Sequence, residues 1–188
     1  MNKSVIYLAA LFVISGPLSA TEFSGNVSGF IGKKSLDDND WKNTDSQGTF
    51  GIISDFKMSS WPVSIAADAM LSVSTDEDSN SQDIDASTGA FHFGVRKIWH
   101  VPGTSFNPYL GGGIAYSTGY QERLLNDIKQ DSNDSAMGAW VGTGAYWRPF
   151  KHLNTGFDLR YSQADIKLFD KEVDAGGFQG SLFIGYHW

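Results

Sequence analysis

Two groups of residues in this chain could do chemistry. The first is the run Asp76-Glu-Asp-Ser-Asn80, which opens like a D-x-D-x-N calcium loop. A calcium loop of that class needs Gly at its sixth position and Glu at its twelfth. Ser81 and Ser87 stand there instead, so the match fails, although Asp83 and Asp85 add to a cluster free of Lys and Arg. The run therefore reads as a solvated anionic surface with at most weak, millimolar-range affinity for divalent ions. Asp37, Asp38 and Asp40 read the same way. The second group is a set of charges and imidazoles spaced two apart within apolar stretches: Asp55, Asp68, His92, Arg96, Arg148, Asp158, Arg160 and His187, with Lys57 beside them. Charges at that spacing share one face of a strand. Triad geometry does not follow from isolated His residues, so no catalytic, cofactor or metal residue is assigned.

The rest of the sequence must position that face. Apolar residues alternate with it. Phe50, Ile52, Phe56 and Met58 form one row, and Val63 to Val73 at odd positions form another. Phe91, Phe93, Val95 and Trp99 make a third; Phe157, Leu159 and Tyr161 a fourth; Phe178, Leu182, Ile184, Tyr186 and Trp188 the last. Period two over this length predicts strands. Eight are expected, at about 22–33, 47–58, 62–74, 86–99, 107–120, 135–149, 154–166 and 176–188. Each suits a tilted crossing of a bilayer.

The expected connections fall into two classes. Those near 59–61, 100–106 and 150–153 are short, and Pro62, Pro102, Pro108 and Pro149 lie at or beside them. Those near 34–46, 75–85, 121–134 and 167–175 are long and hold 16 of the 21 acidic residues. Short turns at one end and long loops at the other is the pattern of an outer-membrane barrel.

Alternation alone also fits a soluble barrel with its apolar face inward. Three observations favour the membrane arrangement. Both charge signs on the polar face are accompanied by many glycines, as a crowded interior requires. Trp61, Trp99, Trp147, Tyr186 and Trp188, with Phe106 and Phe150, gather where strands meet short turns, as an interfacial belt would. The last strand also finishes on an aromatic. The expected fold is all-β: an eight-stranded antiparallel up-and-down transmembrane barrel with termini on the short-turn side. Its lumen is just wide enough for side chains to fill. Arg160 and Asp158 should contact opposite charges on neighbouring strands, Asp68 and Arg96 among them. Trp140 and Tyr146 also point inward in this register.

Residues 1–20 read as a secretory signal peptide: Lys3, an apolar run from Val5 to Ile14, a break at Gly16-Pro17, and a small-residue site at Leu18-Ser19-Ala20. The barrel would then be 21–188. The chain has no cysteine, which removes disulfides, thiolate chemistry and lipoprotein anchoring. A net charge of −7 argues against nucleic acid as a partner.

Three segments, PYLGGGIAY at 108–116, FDLRYS at 157–162 and GSLFIGYHW at 180–188, resemble the small eight-stranded outer-membrane barrels of the OmpA/OmpX-like group. The resemblance implies a Gram-negative outer-membrane location, lipid and lipopolysaccharide as surroundings, and assembly by a barrel-insertion machinery that reads a C-terminal aromatic. Trp188 stands where that group usually has Phe. Its members include structural proteins, adhesins and resistance factors. No peptidoglycan-binding domain is expected after Trp188. The implied role is non-enzymatic, structural or surface-interactive, with the partner of the loops unknown. A porin-like pore for ions or small solutes is the alternative, and a lipid-active enzyme the third reading. Outer-membrane lipid hydrolases with a His-x-Ser pair find no counterpart here, since His92, His100 and His152 are followed by other residues.

Overall fold

A computed structural model describes residues 23–41, 44–77, 83–125, 128–169 and 171–188. The segment expected to be a signal peptide, and residues 78–82 of the acidic loop, lie outside the described residues. The described residues form ten strands. Eight close a barrel in the order β1-β10-β7-β6-β5-β4-β3-β2, with every neighbouring pair antiparallel. They are β1 (Phe23–Ser35), β2 (Ser46–Met58), β3 (Ser64–Glu77), β4 (Asp83–Ile98), β5 (Phe106–Leu125), β6 (Ile128–Trp147), β7 (Leu153–Gln163) and β10 (Gly177–His187). The other two, β8 (Asp165–Leu168) and β9 (Lys171–Asp174), form a separate hairpin between β7 and β10.

The period-two pattern decides which side of the wall each residue takes. Ile31, Phe93, Ile114, Val141, Leu182 and Ile184 are exposed on the outside, while Ser28, Asp68, His92, Arg96, Asp158 and Arg160 are buried within. A soluble protein rarely carries so broad a band of exposed Phe, Ile, Leu and Val. In lipid the band is at home, and closure of the sheet leaves no unpaired backbone edge in the hydrocarbon. At the short-turn end Trp99, Trp147, Tyr186 and Trp188 are exposed and Trp61 is half-buried. Trp61 lies 6.5 Å from Phe56, centroid to centroid. Trp188 exchanges two backbone hydrogen bonds with Gly25, both 3.1 Å, so the last residue is stitched to the first strand.

Three expected loops are largely strand. The stretch 121–134 belongs to β5 and β6, whose pairing runs unbroken from Phe106↔Trp147 to Leu125↔Ile128. Period two vanishes there because this ribbon continues past the last partner of β6 on β7, the pair Ala139↔Gln163. Beyond the wall both faces can be polar, so hydrogen bonding persists without an apolar row. The stretch 75–85 narrows in the same way, with pairing from Ser64↔Arg96 to Glu77↔Asp83. The stretch 167–175 is the β8–β9 hairpin, turned at Phe169 (φ 48°). Pro108 sits inside β5, opposite Ala145. It is the third residue of the strand, where a missing N–H costs little.

The outward register of β10 generates a prediction. Leu182 is 68 % exposed, and its neighbour Ser181 only 8 %. Leu182→Arg should lower folding stability in lipid vesicles by about 2–4 kcal/mol, the cost of a basic side chain at the midplane. Ser181→Arg would crowd the lumen without putting charge in lipid. Wild-type stability for Leu182→Arg would disprove the register.

Candidate functional site

The lumen is built around three carboxylates and three guanidiniums. Asp68 on β3 lies between Arg96 on β4 and Arg160 on β7, its Oδ2 accepting from each at 2.8 Å. Its Oδ1 accepts the backbone N–H of Ser54 at 3.0 Å. Arg96 Nη1 also donates to Asp55 Oδ2 at 3.1 Å, and Tyr146 donates its hydroxyl to that oxygen at 2.6 Å. Arg160 Nε donates to Asp158 Oδ1 at 3.2 Å, and Tyr109 donates to Asp158 Oδ2 at 2.5 Å. The third cation, Arg148, reaches the network through a relay. Its Nη2 donates to Asn26 Oδ1 at 3.1 Å, and Asn26 Nδ2 donates to Asp55 Oδ1 at 2.8 Å.

Rings fill the remaining space. His92 stacks on Trp140 at 5.4 Å and 8°. The Arg160 guanidinium lies 4.8 Å above the same indole, and that of Arg96 lies 5.0 Å from the Tyr109 ring. Such contacts let a desolvated guanidinium meet π-density where water is excluded. Tyr109, Tyr146 and Phe183 pack edge and face. His92 Nδ1 faces Arg160 Nη1 at 2.9 Å. A guanidinium only donates, so Nδ1 is the acceptor and the ring proton sits on Nε2.

The partners differ from those expected in one respect. Arg160 was expected to pair with charges on adjacent strands, yet the neighbours of β7 are β6 and β10. Asp68 reaches it across the lumen from β3, and Asp158 from its own strand. An eight-stranded lumen is narrow enough for long side chains to cross it. Lys57, on the same face by parity, takes no part: it has no polar partner among the described residues. His187 sits half-buried at the short-turn mouth, with Nδ1 2.9 Å from Gly25 O.

Tyr109, Asn26 and Trp41 went unnoticed in the sequence. Tyr109 had a signal: it is inward by parity with Gly111 and Gly113, and Gly144 faces it on β6. A Cβ at Gly144 would stand 2.6 Å from the Tyr109 hydroxyl, so that glycine makes the room.

At the long-connection end the loops form a second small core. Trp41 is fully buried with Leu36, Ala86, Ile166, Leu168, Val173 and Ala175. Its indole donates to Asp174 O at 2.7 Å. Lys34, buried below, donates to Ala175 O at 2.7 Å and to Thr88 Oγ1 at 3.0 Å. Asp40, expected to be solvated, is a fastener here, and so are Asp134 and Asp174. Asp40 pairs with Lys171 at 3.1 Å and accepts the Asp174 N–H at 3.2 Å. Asp174 Oδ1 accepts from Ala164 and Gly176, and Asp134 accepts the Lys167 N–H at 2.8 Å. That backbone bond, with a second from Ser135, holds the Asp134 carboxyl below its ordinary pKa. The Asn39 backbone N–H and side-chain amide do the same for Asp37. Among the described residues, no three His, Asp or Glu side chains converge as a metal site.

The sequence profile of the outer membrane protein β-barrel domain matches residues 5–188. The chain belongs to this family. Its members are β-barrels of the Gram-negative outer membrane, and the closed eight-stranded wall agrees with that. Solved structures share the fold. The neisserial surface protein NspA is 16 % identical, with a TM-score of 0.54, over 88 % of this chain and 95 % of that one. Ail, the attachment invasion locus protein of Yersinia pestis, solved in complex with the heparin analogue sucrose octasulfate, is 15 % identical. Its TM-score is 0.58, over 89 % of this chain and 99 % of Ail. The Pseudomonas aeruginosa outer membrane protein OprG is 16 % identical, with a TM-score of 0.54, over 90 % and 96 %. At such identities the likeness is one of fold alone. No curated protein matches the chain.

Two predictions follow from the site of this family member. Arg160→Ala leaves Asp158 without a cation and Asp68 with Arg96 alone, and losing one member of a buried pair costs about 3–5 kcal/mol. The heat-modifiable folded band should therefore be lost at a clearly lower temperature or urea concentration; an unchanged midpoint would refute the network. The second concerns acid. Carboxyls with depressed pKa values stabilise the fold above their ordinary pKa, and that contribution is lost as pH falls through the lower, folded value. The amide protons of Asn39 and Lys167 should titrate with midpoints below the ordinary carboxylate value of 3.8. Midpoints at or above it would mean that Asp37 and Asp134 are not held.

Proposed function

We propose that this protein is a non-enzymatic outer-membrane barrel with a structural or surface-interaction role, and not a conducting pore. The observation that carries this reading is the filling of the lumen. Arg96, Arg160, Asp68, Asp158, Tyr109 and Tyr146 are all buried across its middle, and the Trp41 cluster covers the long-connection end. An enzyme reading has less support, because His92 faces a guanidinium and an indole, neither of them a nucleophile. In this proposal residues 1–20 are removed on export. Lipid and lipopolysaccharide surround the wall, and the barrel-assembly machinery engages the C-terminal strand that ends at Trp188. The long connections, with the β5–β6 ribbon and the β8–β9 hairpin, face outward from the cell and meet the partner.

Planar-bilayer recording on the purified, folded barrel tests the reading. No steady conductance above the bare membrane is expected from the wild type. Ohmic, concentration-dependent current through single barrels would replace this proposal with the porin-like one.

A further inference from the structure

The lumen is filled in the middle and covered at the long-connection end, but at the short-turn end a cavity of about 270 Å³ opens inside the wall. Asn26, Asp55, Lys57, His100, Arg148 and His187 contribute to its lining. At roughly 30 Å³ per water this is room for about nine waters, or for one small polyatomic ion with part of its shell.

The hydrogen-bond inventory of this cavity is lopsided. Asp55, its one carboxylate, is already satisfied: Oδ1 accepts from Asn26, and Oδ2 from Arg96 and Tyr146. The Asn107 amide donates to Ser105 O, which turns its Oδ1 towards His100 Nδ1 at 2.8 Å. His187 gives the proton on its Nδ1 to Gly25 O. Besides the Nε2 acceptors of His100 and His187, what remains is donor capacity with positive charge. Arg148 Nε is buried and has no partner, and the half-buried Lys57 lines the same cavity. The three guanidiniums of the lumen are offset by Asp55, Asp68 and Asp158, so the Lys57 charge is left over at this mouth.

The geometry points to a binding site for a small oxyanion, of the phosphate or sulfate kind, held between Lys57 and Arg148 at the short-turn mouth. A guanidinium edge and an ammonium suit oxyanion geometry, and charge-assisted hydrogen bonds are the strong ones. The cavity lies within the barrel wall, so the ion arrives from water and not from the bilayer. This site is independent of whether the barrel conducts and of what the long connections bind.

Inorganic phosphate is the probe. The full barrel, folded in a non-ionic detergent, is titrated with phosphate and, at matched ionic strength, with chloride, while the Arg side-chain Nε–H resonances are followed by NMR. The Arg148 resonance should shift saturably with phosphate and not with chloride. Arg148→Gln and Lys57→Gln should each weaken binding at least roughly tenfold, the scale of losing a hydrogen bond to a charged group. For Arg148→Gln the readout is phosphate calorimetry on the same samples. Lys171→Gln, at the other end, should leave the affinity unchanged. Lys57 makes no polar contact among the described residues, so Lys57→Gln keeps the test valid if Arg148→Gln does not fold. A shift linear in phosphate and matched by chloride would overturn the site, as would saturable binding that survives Lys57→Gln.

Discussion

Asp68 is held by one guanidinium from the adjacent strand and another from across the lumen, and much else follows from that shared carboxylate. The outside of this barrel is apolar, so the hydrophobic effect that fills the core of a soluble protein acts here on the exterior. The lumen must be held by something else. Ion pairs this deeply buried survive only when each charge is met and the leftover hydrogen-bonding capacity is taken up. Asp68 meets both Arg96 and Arg160, and through them Asp55 and Asp158 are neutralised. Tyr109 and Tyr146 take up remaining lone pairs. The result ties β2, β3, β4, β5, β6 and β7 together across the interior, in addition to their hydrogen bonds around the wall.

The two ends of the lumen differ because their connections differ. Short turns leave little chain with which to cover an opening, so the mouth near Arg148 and Lys57 stays hollow. Long connections supply Trp41, Ile166, Leu168 and Val173, enough apolar surface for a small core over the other end. The acidic residues around that core belong to its construction: Asp40, Asp134 and Asp174 accept backbone N–H groups that the irregular chain would otherwise leave unpaired. Negative charge in the loops is thus partly a consequence of their being folded.

Wherever lipid imposes alternation, the sequence could be read. Rows such as Phe91, Phe93 and Val95 are apolar on every second residue because one side meets hydrocarbon and the other does not. The same parity put Asp68, His92, Arg96, Asp158 and Arg160 inside. It could not say that Arg160 would cross the lumen to β3, because parity gives a side of the wall and no position around it. Outside the bilayer the rule lapses. The upper parts of β5 and β6 looked like loop, since Gln121 to Asp134 carries no apolar row. The β8–β9 hairpin does alternate at Ile166, Leu168 and Val173, but over four residues per strand, too short to stand out. Trp41 and Leu36 sit in an acidic stretch and show their role only once the hairpin lies against them.

The seam between β1 and β10 has a consequence for how such a chain comes to be folded. Every other neighbouring pair in the wall joins strands consecutive in the chain or separated by the small hairpin. The seam joins Asn26 to His187 and continues for ten residue pairs. Its loop-closure entropy is the largest in the molecule, and none of its hydrogen bonds form until the whole wall is in place. A chain lacking β10 would be an open sheet with two unpaired edges, a template for pairing with other chains. Closure therefore has to wait for the last strand, and until it happens two edges lie open.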